Sequence, residues 1–190
     1  MIKIYNAQIT DFTQADYTKA YSLLDCALKE KICAKKCVQD KMCSIAGYIL
    51  LWRGALEIYG KTDFNINFNK NGKPLVDFCY FNISHSEDRV VCAFSDRPVG
   101  IVIQKIKPII KRKKYKFFTD FESAYVNADE KLVAQRYTEI FTKKESALKM
   151  LGFSLADCGK IDTFSKKLGF EIQTKDDFIT TVCWQNNSKL

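Results

Sequence analysis

The chain has 190 residues, 47% of them hydrophobic, and carries 30 Lys and Arg against 22 Asp and Glu, a formal charge of +8. That is enough apolar material for a substantial core in one domain or two closely fused halves, and the positive surface favours anionic partners: polyphosphate ligands, acidic proteins, nucleic acid or anionic lipid. The opening MIKIYNAQITDF lacks the features of a secretory signal and no apolar run is long enough to cross a bilayer, so the expectation is a cytoplasmic protein with no membrane segment.

Residues 2 to 9, IKIYNAQI, are β-branched and partly alternating and predict an opening strand. From about Thr13 to Trp52 the apolar spacing becomes helical, with Tyr17, Tyr21, Leu24 and Leu28 on one stripe, and two helices broken near Lys35 to Gln39 fit it. Residues 64 to 104 switch to short strands: FNINF, a turn at Asn71-Gly72, FNIS, RVVCAFS and VGIVIQ. Between Lys105 and Lys116 seven of twelve residues are basic and none is acidic. Helical character returns over Phe117 to Leu151, and residues 161 to 184 predict two or three closing strands, among them FEIQT and FITTVCW. A loose echo between RVVCAF and ITTVCW suggests two similar α+β halves.

Eight cysteines in such a chain read as reduced thiols rather than a disulfide framework. Cys33, Cys37 and Cys43 lack a convincing fourth partner for a zinc site. No zinc-finger spacing and no RNA-binding signature is present, which sets nucleic acid aside.

Three segments carry chemistry. In Gly72-Lys73-Pro74 the glycine permits a turn with free backbone N–H groups, the lysine adds a cation and the proline fixes the exit, a combination suited to a phosphate or nucleotide edge, or simply a turn. His85, the single histidine, lies within Asn82-Ile83-Ser84-His85-Ser86 and reads either as a surface residue or as a phosphate donor. Glu145 and Lys149 are four apart on one helix face, an ordinary ion pair or a proton acceptor and metal ligand beside a phosphate-neutralising cation.

Taken in order, GKP, FNISHS, a strand ending AFS, PVGI with IQKIKP, and FTKKESALKMLG resemble the 4'-phosphopantetheinyl transferases of the surfactin-synthetase type over most of the chain. The resemblance implies an α+β pseudo-dimer of two similar α/β halves, with a ligand cleft between residues 1–104 and 105–190 of a single compact unit. It implies transfer of the phosphopantetheine arm of coenzyme A to a serine of an acyl or peptidyl carrier protein, a holo-acyl-carrier-protein synthase activity that releases adenosine 3',5'-bisphosphate and uses Mg²⁺. Gly72, Lys73 and Pro74 would border the adenine and ribose, Ser84 and His85 would contact phosphate, Glu145 would bind Mg²⁺ and take the serine proton, and Lys149 would steady the diphosphate.

Two departures stand out. Where the family usually shows Gly-Ile-Asp-Ile-Glu, this chain has Gly100-Ile101-Val102-Ile103-Gln104, so the metal set reduces to Glu145 and Gln104. Where the family tends to present an arginine to the 3'-phosphate stands Cys43, with Lys31, Lys36 and Lys41 near enough to compensate, Lys31 foremost. The alternative is therefore a non-catalytic member that binds coenzyme A or a carrier protein. The basic run is either a solvated linker or a docking surface for an acidic carrier protein.

Overall fold

Strand β1 (Ile2–Gln8) opens the chain as its pattern predicts. The computed structural model describes residues 1–110 and 114–186, so Lys111, Arg112 and Lys113 of the basic run lie outside it. Three helices follow rather than two: α1 (Gln14–Leu23), α2 (Cys26–Cys33) and α3 (Val38–Tyr59). The break before α3 falls where expected. The extra break arises because the Asp25 carboxylate accepts the Leu28 backbone N–H at 2.7 Å, so a new helix begins inside the apolar stripe. Gly60, with φ of +64°, ends α3 beyond Trp52.

A short hairpin, β2 (Asn67–Phe68) with β3 (Pro74–Leu75), precedes β4 (Tyr80–Ser86), β5 (Arg89–Ser95) and β6 (Val99–Lys105). Then come α4 (Asp120–Asn127), α5 (Val133–Leu151) and two closing strands, β7 (Leu168–Lys175) and β8 (Phe178–Gln185). A Thr119–Glu122 capping box starts α4.

The long strands form two antiparallel sheets, ordered β1-β5-β4 and β6-β8-β7. Each runs strand, helices, then hairpin, and in each the last strand lies in the middle. The mixture of helix and strand is an α+β fold, and the two echoing segments RVVCAF and ITTVCW are the two central strands. Because β6 pairs with β8, the sheets divide the chain near Asp96–Pro98 rather than at residue 104.

Helix α3 covers the outer face of the first sheet, where Cys43, Ala46, Leu50 and Leu51 pack with Val90, Cys92 and Phe94. On the outer face of the second, α5 sets Ala147 and Leu148 against Cys183. Between the inner faces, Val91 and Ala93 meet Ile101, Ile103 and Val182. Strand β6 is an edge, with N–H groups that need partners. Asn82 Oδ1, Ser84 Oγ and Ser86 Oγ of β4 accept from Ile101, Ile103 and Lys105 at 2.9, 3.3 and 3.1 Å. The two-residue period of one strand thus satisfies the two-residue period of the other.

Two contacts fix α5. At Gly100 a Cβ would collide with the Ser146 carbonyl oxygen and lie 2.7 Å from the Met150 nitrogen, so the helix approaches β6 closely only because no side chain intervenes. Behind it, the fully buried Lys144 ammonium pairs with the fully buried Glu122 at 2.9 Å and donates to the carbonyls of Cys158 and Ile161. Burial alone would raise the Glu122 carboxyl, but Lys144 and donors from Thr119 and Thr163 outweigh it and hold it below its ordinary 4.5.

Gly100→Ala should cost about 3 kcal/mol in urea unfolding, since backbone atoms cannot yield, while Gly159→Ala, which meets open space, should be nearly neutral. Equal effects would contradict the close approach. The depressed Glu122 carboxyl adds stability that is complete above pH 4.5 and is lost as pH falls through its lower folded value. In Glu122→Gln that acid limb of the stability curve should flatten, on top of a loss of about 3 kcal/mol near neutral pH from stranding Lys144.

Candidate active site

Side chains alternate along β4, so Asn82, Ser84 and Ser86 face the seam while Ile83, against Gly47 of α3, and His85 are turned the other way. Lys149, in the last turn of α5, reaches across. Its ammonium donates to Ser84 Oγ at 3.1 Å and to the Ile101 carbonyl at 3.5 Å, and pairs with Glu145 one turn earlier at 3.3 Å. Ser84 Oγ therefore accepts from β6 and from Lys149 together, and its own proton remains to donate elsewhere.

His85 sits within the fields of both halves. Burial pushes its pKa below 6.5, Lys35 and Lys149 push it down further, and Asp40 and Glu145 pull the other way. The imidazole is neutral at pH 7, able to donate from one nitrogen and accept at the other.

Lys35 was missed in the sequence, being one of five lysines between residues 29 and 41 with nothing local to distinguish it. It is half-buried in the α2–α3 corner, acts on both His85 and Cys43, and its ammonium has no hydrogen bond or ion pair among the described residues. The expected compensator Lys31 lies instead over the Phe68 ring at 3.6 Å. Next to Lys35, α3 starts at Cys37 without a side-chain cap. Cys43 is buried, its thiol pushed up to about 11 by burial and donating to the Glu87 carbonyl at 3.1 Å.

Gly72, with φ of +79°, turns the chain so that Lys73 can cross to the other half. Its ammonium donates to the carbonyls of Lys149 and Met150 at 2.7 and 3.4 Å, and Asn71 donates to the Gly152 carbonyl. These groups cap the C-terminus of α5, where a cation complements the helix dipole. Burial and the neighbouring Lys149 bring Lys73 down to about 8.

Of the two donors expected for Mg²⁺, Glu145 and Gln104, only Glu145 is a carboxylate. Val102, 1% exposed, lies on the α5 face of β6 beside Thr181, whose hydroxyl is already shared with Thr142 at 2.8 Å. The Gln104 amide nitrogen points to the Lys105 carbonyl at 3.5 Å. Among the described residues no three His, Cys, Asp or Glu side chains gather around a cation position. Glu145, paired with Lys149 at 3.3 Å, is the one carboxylate the expected ligand set retains, so the other oxygens around a Mg²⁺ ion would have to come from water and phosphate.

A cavity of about 480 Å³ adjoins Lys73 and is lined by Leu75, Phe78 and Tyr80 among others. Another of about 610 Å³ opens between β1 and β7, away from His85, Glu145 and Lys149, and is lined by none of the candidate residues. No helix of the described residues is long and apolar enough to cross a membrane.

Residues 98–187 match the family profile described as the 4'-phosphopantetheinyl transferase superfamily. The chain is 37% identical over 119 residues to the 4'-phosphopantetheinyl transferase gsp of Aneurinibacillus migulanus, covering 60% of this chain and 50% of that one. It is 35% identical over 112 residues to Sfp of Bacillus subtilis (strain 168), covering 57% and 49%, and 28% identical over 174 residues to ffp of Bacillus subtilis, covering 88% and 77%. The chain spans about half the length of the first two relatives it matches.

With one histidine, the imidazole resonances in a proton–carbon spectrum belong to His85 without further assignment. They should titrate with a midpoint below 6.5, and Lys35→Met should raise that midpoint by removing the strongest opposing charge. A wild-type midpoint at or above 6.5, or one indifferent to Lys35→Met, would contradict this placement.

Proposed function

We propose that this chain, which is similar to the 4'-phosphopantetheinyl transferases over residues 98–187, moves the phosphopantetheine arm of coenzyme A onto a serine of an acyl or peptidyl carrier protein in the cytoplasm. The observation that carries this reading is the meeting of Ser84, Glu145 and Lys149 at the seam between the two sheets, with His85 on the other face of β4 within their electrostatic reach. A donor hydroxyl, a carboxylate and an ammonium in contact, with an imidazole nearby, provide what phosphoryl transfer needs: anion binding, a proton acceptor and compensation of developing charge.

In this reading the 3'-phosphate of coenzyme A rests among Lys35, His85 and the uncapped start of α3, where backbone N–H groups and the helix dipole favour an anion. Gly72, Lys73 and Pro74 border the adenine and ribose, and Lys149 with the Ser84 proton holds the diphosphate. Glu145 removes the proton of the carrier serine as its oxygen attacks the β-phosphorus. The bond from that phosphorus to the bridging oxygen breaks, and adenosine 3',5'-bisphosphate leaves with the electron pair, its charge met by Lys149. Superfamily members generally use Mg²⁺, but no step here is routed through it.

The second reading, a protein that binds coenzyme A or a carrier protein without transfer, is favoured by one observation: the apolar burial of Val102. Of the basic run, Lys107 and Lys114 already pair with Glu87 and Asp120 at 2.7 Å, which reduces but does not cancel its attraction for an acidic carrier.

A carrier protein incubated with coenzyme A and this protein should gain the mass of one phosphopantetheine arm. Glu145→Gln should slow single-turnover transfer by about a hundredfold or more with little change in coenzyme A affinity. Binding without any mass gain at high protein concentration would replace the transferase reading with the second one.

A further inference from the structure

We infer that this site binds the diphosphate of coenzyme A free of divalent metal, its charge met by fixed ammonium groups; the inference rests on the proposed use of coenzyme A. The places where oxygen ligands are expected are filled otherwise. Val102 is packed against β8, the hydroxyls of Thr142 and Thr181 satisfy each other, and the Gln104 amide leans on its own strand. An incoming cation would find one carboxylate, and Lys149 holds that at 3.3 Å.

The charges point the same way. Two carboxylates on β6 would carry −2, which one divalent cation cancels. Val102 and Gln104 carry none, so without a cation the site has the net charge that the expected arrangement has with one. What remains is three ammonium groups, Lys35, Lys73 and Lys149, against Asp40 and Glu145. Lys149, held on Ser84, and Lys35 lie in opposite halves, and both push the His85 pKa down. A divalent cation would have to displace Lys149 from Glu145 and then share the diphosphate with it, and two dispersed positive groups at short range repel. A diphosphate already chelated to a metal is thus the poorer ligand here.

The test is calorimetric titration of coenzyme A into the whole protein, once in EDTA and once in excess Mg²⁺. The dissociation constants should agree within about threefold. Mn²⁺ added alone should keep the paramagnetic resonance signal of the free ion. Val102→Asp, or Gln104→Glu at the half-exposed strand end if the first variant does not fold, should convert binding to a form that Mg²⁺ strengthens by about tenfold. Binding that is at least tenfold tighter with Mg²⁺ in the wild-type protein would overturn the inference and leave the coenzyme A reading standing. Absence of binding under both conditions would remove that reading and the inference with it. Loss of the Mn²⁺ signal on adding the protein, or indifference of both carboxylate variants to Mg²⁺, would also overturn the inference.

Discussion

Three edge N–H groups of β6 determine how the two halves of this protein meet. Left unpaired in the interior, each would cost about 1–3 kcal/mol, whereas an ordinary surface ion pair between halves contributes under about 1 kcal/mol. Asn82, Ser84 and Ser86 meet them with side-chain oxygens at the same period. A slip of one residue would turn all three oxygens away, so the seam sets the register between sheets that share no backbone ladder. Lys149 can touch Ser84 because this register is fixed and because Gly100 lets α5 lie close to β6.

The cations divide into those the architecture consumes and those it leaves for a ligand. Lys144 is fully consumed by Glu122 and two carbonyls, and Lys73 largely so by the end of α5. Lys149 is half committed, to Glu145 and Ser84, and Lys35 is held in place without a partner among the described residues.

Much of the fold was legible. Period-two segments fell where β1, β4, β5 and β6 form, and the break before α3 was marked by its loss of apolar spacing. The split between α1 and α2 was not, because the stripe from Tyr17 to Leu28 continues through Asp25 and only the cap interrupts it. In the site, the spacing of Glu145 and Lys149 was a local helical fact and could be read directly. Lys35 could not, since its orientation depends on how the α2–α3 corner docks beside β4. Glu122 and Lys144, 22 positions apart, gave no sign of pairing either, because two charged residues in separate helices read as solvated faces until the tertiary fold buries them.

The Asn82–Ser86 segment has a consequence for how far such sequences can drift. Its polar side chains serve the joint between sheets and the candidate site at once, Ser84 with a single oxygen atom. A replacement there weakens the joint whatever else it does. Position 102 carries no such double duty: an apolar residue packs there at no cost to the joint. The segment can therefore keep its polar pattern for the sake of the joint alone, whereas position 102 can change character without disturbing the way the sheets meet.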